Sequence, residues 1–401
     1  MATVFVLSAG MRWRPITLHP NTRSSLPTNS GTIASFEGGR GLAALFVALF
    51  HFGHDANALS VIRNGYLFVD LFFVISGFVI CSAYSTRLET AGDLRSFLIR
   101  RFGRLFPLLV FSTVLYVLAK NLLVWAKQEA VSRGLGGHLE RTDFAGYLVP
   151  ELGEIVSTLT LTHGMGIFDR LILNPVSWSI STEFYAYVLF AAVCLAFRGG
   201  IRLAVYVLLS VAGLAATIWA ALHVHDCLQA GKCFDITYDF GFARCVGSFF
   251  LGALTYHFSR QVRLNANALQ FAGLVGLVAL FFVAEAWPML VFASPLLFAL
   301  LVFSVSQDTG FAATVLKSKP FQILGQRSYS VYMMHPILMI FVEPFARRVH
   351  GTVLIAVVAL AYVAILLLVS GWTYKFIEDP LRKWFNRIAG NRRQPQVAMQ
   401  S

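Results

Sequence analysis

Long runs of apolar residues, separated by short polar segments, recur along the chain from about residue 36 onward. Most of these runs have the length of about 20 residues that a helix needs to cross the hydrocarbon core of a bilayer. The pattern predicts ten membrane-crossing helices, with approximate cores at 36–55, 66–84, 105–125, 176–197, 201–222, 240–257, 268–284, 287–305, 328–345 and 352–376. Segment 152–163 is predicted to be an additional interfacial or re-entrant piece. The predicted fold class is therefore all-α, a polytopic membrane protein with about ten transmembrane helices.

The composition agrees with this pattern. Hydrophobic residues make up 57% of the 401 residues, and charged residues only 13%, against about 25% in an ordinary soluble domain. So much apolar surface cannot be hidden inside one water-soluble core. These figures exclude a soluble enzyme, a disordered chain and a small disulfide-stabilised scaffold.

The formal net charge of +12 would suggest nucleic-acid binding in a soluble protein. In a membrane protein, cytoplasmic loops collect Lys and Arg, which accounts for the charge without nucleic acid. When the N-terminus is placed in the cytoplasm, most of the 32 basic residues fall on the inside. We therefore expect both termini to be cytoplasmic. The predicted organisation is a flexible tail at 1–35, a transmembrane domain at 36–386 and a C-terminal tail at 387–401.

The five cysteines are too few for a fold that depends on disulfides. Cys227 and Cys233 share one loop, predicted to lie outside, and they would pair if that side is oxidising. The sequence alone leaves this pairing open. The histidines are scattered and lack the spacing of zinc ligands, so no metal site is predicted.

Ionisable residues inside membrane spans are costly, and by default they indicate a function. Arg40 and His51 stand at the two ends of the first apolar run, eleven residues apart, which corresponds to about 16 Å of helix. Arg40 alone is explained by anchoring at the membrane surface, and His51 alone by a hydrogen bond inside the bundle. Their presence together in one helix favours a functional role.

Asp70 lies within the second predicted span and needs a partner there. His51 is the candidate that is near in sequence, so we expect the two side chains to pair. Ser76 and Gly77 follow in the same helix and are typical of a small-residue packing face.

Further polar groups mark the later spans. Arg100, Arg101 and Arg104 form either a positive anchor or a clamp for phosphate groups. Glu183 lies beside Trp178 at the start of the fourth span, and it is harder to explain as an interfacial residue than the aromatic side chains around it. His335, taken alone, is better explained as a buried, hydrogen-bonded histidine. The acidic turn near 376–385 indicates a cytoplasmic helix end that needs no chemistry.

Taken in order, these segments resemble the acyltransferase 3 family of integral-membrane transacylases, over nearly the whole chain. The resemblance rests on six motifs, which are Arg40-x10-His51, VDLFFVISGF at 69–78, RRxxRxxP at 100–107, SWSISTEFY at 177–185, SYSVYMMHP at 328–336 and IEDPLRK at 377–383. Phe68 stands where the family often has a glycine before the Val-Asp pair, and Tyr66-Leu67 also replaces a position where glycine is common.

The resemblance implies a plasma-membrane enzyme that moves an acyl group, commonly acetyl, from cytoplasmic acyl-CoA to a hydroxyl of an extracytoplasmic or membrane-associated carbohydrate. His51 would act as a general base or as a nucleophile that carries the acyl group. Asp70 or Glu183 would orient its imidazole, and the donor would be bound by Arg40, Arg100, Arg101 and Arg104. Ser76, Trp178 and His335 are further candidates for substrate contact or structure.

Two alternatives remain open at this point. Ten helices with buried acidic and histidine residues also suit a proton-coupled transporter or flippase of an amphipathic glycan or small solute. A structural member of an envelope-polysaccharide complex, with a decayed site, is the other. Some family members carry an additional extracytoplasmic hydrolase-like domain, and the chain ends at Ser401 without one. We therefore expect either that any periplasmic or envelope-assembly partner is a separate protein, or that acyl transfer is completed within the membrane domain.

Overall fold

The computed structural model of the protein describes residues 33–53, 59–134, 146–346, 348–349 and 351–390. Their helices are α1 Ala34–Phe52, α2 Ser60–Arg63, α3 Phe68–Tyr84, α4 Ala91–Ser132, α5 Leu152–Leu159, α6 Trp178–Ala196, α7 Gly199–His223, α8 Cys227–Ala230, α9 Gly241–Gln261, α10 Ala266–Val283, α11 Ser294–Val305, α12 Phe311–Leu316, α13 Lys319–Gln326, α14 Ser328–Ala346, α15 Thr352–Thr373 and α16 Asp379–Ile388. Short 3-10 turns cover Gly65–Leu67 and Pro288–Ala293, and a π-turn covers Tyr374–Glu378. The described residues contain no strand, which confirms the all-α fold class.

Each of the ten predicted segments carries a helix in the structure. Among the described residues, seven helical stretches are long and apolar enough to cross a membrane, which makes the chain a multi-pass membrane protein. These stretches are Gly65–Tyr84, Ala91–Ser132, Trp178–Ala196, Gly199–His223, Ala266–Val283, Pro288–Val305 and Thr352–Ile388. The helices α1, α9 and α14 are outside this set. They carry Arg40, Arg244 and His335, so polar residues interrupt their apolar sequences.

Helix α4 is much longer than the predicted span at 105–125, with 42 residues and a length of about 63 Å. It begins at a capping box, in which the Thr90 hydroxyl accepts a hydrogen bond from the Asp93 backbone N–H at 3.2 Å, while the Asp93 carboxylate accepts one from the Thr90 N–H at 3.0 Å. The helix exceeds the roughly 30 Å hydrocarbon core. It therefore extends beyond the bilayer, and the arginine-rich segment 100–104 belongs to the same continuous helix as the span.

The centre of the bundle is the crossing of α3 and α9. A side-chain carbon at Gly77 would lie 1.8 Å from the carbonyl oxygen of Phe249, and one at Gly252 would lie 2.0 Å from the carbonyl oxygen of Val74. The two backbones approach so closely only because both residues are glycine. Gly77 thus belongs to a small-residue packing face, as its sequence context predicts.

The loop 224–240 between α7 and α9 is closed by a disulfide between Cys227 and Cys233, with their Cα atoms 4.5 Å apart. Phe234 and Ile236 of this loop are buried. Of the predicted tail at 1–35, only the last three positions belong to the described residues. The last two of these are already part of α1, which begins at Ala34. The end of the predicted C-terminal tail, from residue 391, also lies outside them.

Candidate functional site

A cavity of about 120 Å³ lies between α1, α3, α4, α6 and α14. Its polar lining brings together side chains from five separate sequence motifs. These are Arg40, Ser76, Arg101, Arg104, Ser179, Glu183, Tyr187, Ser328, Tyr329 and Tyr332. The cavity therefore collects three of the four predicted donor-binding arginines around one space, together with Glu183.

Arg101 is the arginine best placed to bind an anion. Its guanidinium packs over the rings of Tyr84 and Tyr187, at 5.6 and 5.9 Å from their centroids. Its buried Nε has no hydrogen-bond partner, and the guanidinium makes no ion pair within the described residues. A cation held on aromatic faces beside a cavity, with an unused donor, is poised to bind a negatively charged ligand.

Arg104 and Arg40 have carboxylate partners. Nη1 of Arg104 donates to Oε1 of Glu378 at 2.6 Å, and the Ser330 hydroxyl donates to the second oxygen of Glu378 at 2.7 Å. Arg40 makes a looser contact with Glu37, at 3.4 Å, in which both side chains are partly exposed. Arg104 is therefore held by a short ion pair with a buried carboxylate, whereas the ion pair of Arg40 is longer and partly exposed.

Arg100 does not line this cavity, although the sequence groups it with the other three arginines as a candidate for donor binding. Its guanidinium donates to the backbone carbonyls of Asn386 and Gly390, at the end of α16. Successive residues on a helix point about 100° apart, so Arg100 and Arg101 face different surroundings. The contacts of Arg100 tie the C-terminal helix to α4.

Glu183 stands in a compact hydrogen-bond network on the cavity wall. The Ser76 hydroxyl donates to its Oε1 at 2.5 Å, and the Tyr187 hydroxyl donates to the same oxygen. Ser76 and Tyr187 also lie within 2.8 Å of each other. None of these contacts reaches His51, so the predicted role of Glu183 in orienting that imidazole has no support in the geometry.

His51 lies at the other end of α1 from Arg40, and its partner is His335. Nδ1 of His51 lies 2.9 Å from the Val47 carbonyl oxygen and 3.3 Å from Nε2 of His335. Nδ1 of His335 lies 2.6 Å from the carbonyl oxygen of Tyr332. His335 is fully buried, whereas the His51 side chain is exposed.

These contacts assign the tautomers, because a carbonyl oxygen can only accept a hydrogen bond. Each ring therefore carries its hydrogen on Nδ1 in the neutral pair. The Nδ1–H of His51 is then shared between the Val47 carbonyl and the lone pair on Nε2 of His335. No hydrogen bond from a described residue occupies the lone pair on Nε2 of His51. This arrangement gives His51 a free basic nitrogen and a neighbour that holds the ring in orientation, as in catalytic triads.

Asp70 does not pair with His51, and this expectation was wrong. Its carboxylate accepts hydrogen bonds from Arg244, with Nη2 to Oδ2 at 2.6 Å and Nε to Oδ2 at 3.0 Å, and from the Ser248 hydroxyl at 2.9 Å. Both charged side chains are almost completely buried, at 0% and 1% exposure. Arg244 also donates to the carbonyls of Tyr66 and Ile236. Asp70 is therefore a structural residue that neutralises a buried arginine.

Trp178 packs against the same arginine, with the Arg244 guanidinium 5.7 Å from its ring, and it does not line the cavity.

Sequence reasoning missed Arg244 and Glu378. An arginine inside the predicted span 240–257 was the available signal for Arg244. Glu378 lies in the IEDPLRK motif at 377–383, which the sequence analysis explained as a helix end, whereas it ends the π-turn Tyr374–Glu378 and pairs with Arg104. Such turns are frequent at functional sites.

Within the described ranges, no group of three or more His, Cys, Asp or Glu side chains is arranged to hold a metal ion. The polar chemistry of the site thus comes from two regions. One is the arginine-lined cavity, and the other is the His51–His335 pair. Helix α1 carries a residue of each, and the Tyr332 ring lines the cavity while its carbonyl contacts His335.

Comparison with known proteins shows which family the chain resembles. Residues 33–375 match the acyltransferase domain that defines the acyltransferase 3 family. The chain is 24% identical over 370 residues to the peptidoglycan O-acetyltransferase OatA of Listeria monocytogenes, in an alignment covering 88% of this chain and 56% of that protein. It is also 24% identical over 375 residues to the O-acetyltransferase OatA of Staphylococcus aureus, covering 88% and 57%.

A third relative is the putative peptidoglycan O-acetyltransferase YrhL of Bacillus subtilis, 24% identical over 388 residues, covering 87% of this chain and 55% of that protein. The chain thus spans little more than half the length of the curated relatives it matches. No solved structure matches it significantly.

Proposed function

The chain belongs to the acyltransferase 3 family, and on that premise we propose that it is a membrane O-acyltransferase. It takes an acyl group, in the first place acetyl, from acyl-CoA on the cytoplasmic side. It transfers this group to a hydroxyl of a carbohydrate on the opposite side of the membrane. The observation that carries the proposal is helix α1, which presents Arg40 to an arginine-lined cavity and His51, paired with His335, at its other end.

The cavity suits the donor. Acyl-CoA carries phosphate groups at one end and a thioester at the end of a long, flexible pantetheine arm. Phosphates are bound well by guanidinium groups. Arg101 offers one that is in no ion pair with a described residue, and Arg40 lines the same cavity. Glu183, Ser76 and Tyr187 offer polar atoms to the rest of the donor from the same cavity.

The chemistry is centred on His51. Nε2 takes the proton of the acceptor hydroxyl while the oxygen attacks the thioester carbonyl carbon. The new C–O bond forms, the C–S bond breaks, and the proton passes to the departing CoA sulfur. In a relay, Nε2 attacks the thioester carbonyl carbon first, the C–S bond breaks and CoA leaves as the thiolate. The acceptor hydroxyl then attacks the acyl carbon, the bond between this carbon and Nε2 breaks, and the hydroxyl proton is released to water. Both routes require the lone pair on Nε2, and His335 stabilises the charge that develops on the ring.

Two features support the proposed orientation, in which both termini are cytoplasmic in an inner (plasma) membrane. Disulfides persist in oxidising compartments, and the Cys227–Cys233 loop contacts the His51 end of α1 through Lys232 and Phe50. Arginines concentrate at the opposite end, where cytoplasmic loops normally carry positive charge.

The acceptor class follows from the relatives. Those described as peptidoglycan O-acetyltransferases modify a carbohydrate of the cell envelope, and we propose an envelope glycan as the acceptor of this chain. A transport function is not favoured, because the family match covers residues 33–375 and describes an acyltransferase domain.

The proposal is tested in sealed inside-out vesicles from the native host, supplied with radiolabelled acetyl-CoA. Three proteins are compared, the unaltered chain, His51→Ala and His223→Ala. His223 is a matched control, because its Nδ1 also contacts the carbonyl four residues earlier, at 3.0 Å, and its side chain is exposed. We expect label to enter an envelope glycan with the unaltered chain and with His223→Ala, but not with His51→Ala. Equal labelling with His51→Ala would refute the assigned site.

A further inference from the structure

The disulfide-closed loop 224–240 lies against the catalytic end of α1. The Lys232 ammonium group is 5.0 Å from the centre of the Phe50 ring, and the Phe50 ring is 5.0 Å from the ring of His51. Among the described residues, Asp235 and Lys232 of this loop are near enough to interact electrostatically with the His51 imidazole. This loop therefore lies beside Phe50 and the exposed His51 at that end of α1.

The loop is held in place by several independent contacts. The disulfide closes its tip, and a hydrogen bond of 2.5 Å between His225 and Asp239 joins its two ends. Phe234 is buried beneath Arg244, whose guanidinium is 4.9 Å from that ring and donates to the Ile236 carbonyl at 3.0 Å. The arginine of the Asp70–Arg244 pair thus connects the helix bundle to this loop.

Two charged side chains of this loop, Lys232 over the Phe50 ring and Asp235 near Arg244, keep charged atoms that no described side chain binds. Lys232 is exposed and makes no ion pair with a described residue, and the half-buried Asp235 carboxylate accepts no hydrogen bond from any described side chain. An exposed ammonium donor and a carboxylate acceptor, carried on a rigid backbone beside an aromatic ring, match the hydroxyl groups of a sugar.

We propose that the loop 224–240 is the acceptor-binding wall of the His51 site, where Lys232 and Asp235 position a hydroxyl-bearing sugar beside the imidazole. This inference rests on the proposed function and extends it by assigning the acceptor side. The Asp235 carboxylate accepts hydrogen bonds from sugar hydroxyls, and the Lys232 ammonium donates to sugar oxygens. Rigidity of the loop matters because productive transfer requires the attacking oxygen at a fixed place.

The test separates transfer to the glycan from transfer to water. Inside-out vesicles with labelled acetyl-CoA give two products, labelled glycan and free labelled acetate, and the second needs the donor and His51 but no sugar. The variants are Lys232→Ala, Asp235→Asn and the double change Cys227→Ser with Cys233→Ser. Gln229→Ala is the matched control, since this exposed residue lies in the same loop without a described contact to α1.

We expect each of the three variants to lower glycan labelling by about tenfold or more, while acetate release is retained and Gln229→Ala behaves like the unaltered chain. Unchanged glycan labelling in both Lys232→Ala and Asp235→Asn would overturn the inference. An equal loss of both products would also overturn it, because such a loss would indicate an effect on donor binding or on the chemical step. Absence of both products with the unaltered chain would instead overturn the proposed function itself.

Discussion

Nε2 of the buried His335 lies 3.3 Å from Nδ1 of His51, across the packing of α14 against α1. The two residues are 284 positions apart in sequence. Their hydrogen bond fixes the His51 ring and directs its Nε2 away from the bundle. The packing of α14 against α1 thus brings together the two side chains on which the proposed chemistry depends.

Replacement of His335 should reduce the rate of acyl transfer more than it changes donor binding. We expect His335→Ala to lower kcat by about 10²-fold, within the usual range for general acid–base catalysis, with little change in KM for acetyl-CoA. His335→Gln should recover part of the loss, because its amide oxygen can accept from Nδ1–H of His51. Steady-state kinetics in vesicles measures both constants. A rise in KM without a change in kcat would contradict the assigned role.

Replacement of Arg101 should weaken donor binding. Loss of one charge-assisted hydrogen bond to phosphate removes about 1.5–3 kcal/mol, so Arg101→Gln should raise KM for acetyl-CoA by about tenfold or more. Arg100→Gln is the matched control, because Arg100 is the adjacent residue but contacts backbone carbonyls at the end of α16 and does not line the cavity. It should lower stability and leave that KM unchanged. If both changes raise KM equally, the cavity is not the donor site.

The Asp70–Arg244 pair should behave as a structural unit. Asp70→Asn leaves a buried guanidinium without its counter-charge, which typically costs about 3–5 kcal/mol. We therefore expect a marked loss of thermal stability in detergent. Asp70→Leu combined with Arg244→Met should be less destabilised than Asp70→Asn, because neither charge then remains buried. A fully stable Asp70→Asn protein without transferase activity would show instead that Asp70 acts in the chemistry.

The crossing of α3 and α9 should tolerate no side chain at Gly77. Gly77→Ala places a carbon 1.8 Å from a backbone oxygen, so the helices must separate, with an expected loss of about 1–3 kcal/mol for overpacking. Gly200→Ala is the control, since no atom lies within 4 Å of the added carbon there. Thermal unfolding of the two variants in the same detergent provides the comparison, and equal stabilities would contradict the close approach.

The ten main helical segments were predictable because most of the apolar runs are long enough to indicate a helix. Local motifs also indicated Arg40, Arg101, Arg104 and His51, since charges inside apolar runs are conspicuous. Partners were not predictable in the same way. Asp70 was paired with His51, its neighbour in sequence, whereas its partner Arg244 lies 174 positions away. Such pairs depend on how helices pack, which a hydrophobic pattern does not specify.

The division of the site into two regions could not be predicted from the sequence either, because it depends on how the helices pack. Glu183 was expected near His51, and the structure places it with Ser76 and Tyr187 on the cavity wall. Glu378 was explained in sequence as part of a helix end, but the π-turn brings it to Arg104. Backbone geometry of this kind leaves no periodic signal in the sequence.

The most direct test of the account separates donor binding from chemistry in the purified full chain, reconstituted in lipid nanodiscs. Calorimetric titration with CoA is combined with a transfer assay for His51→Ala and Arg101→Gln. The account predicts that His51→Ala binds CoA like the unaltered chain but transfers no acetyl group, whereas Arg101→Gln binds CoA about tenfold more weakly. Normal transfer by His51→Ala, or unaltered CoA affinity in Arg101→Gln, would contradict the assignment of the two regions.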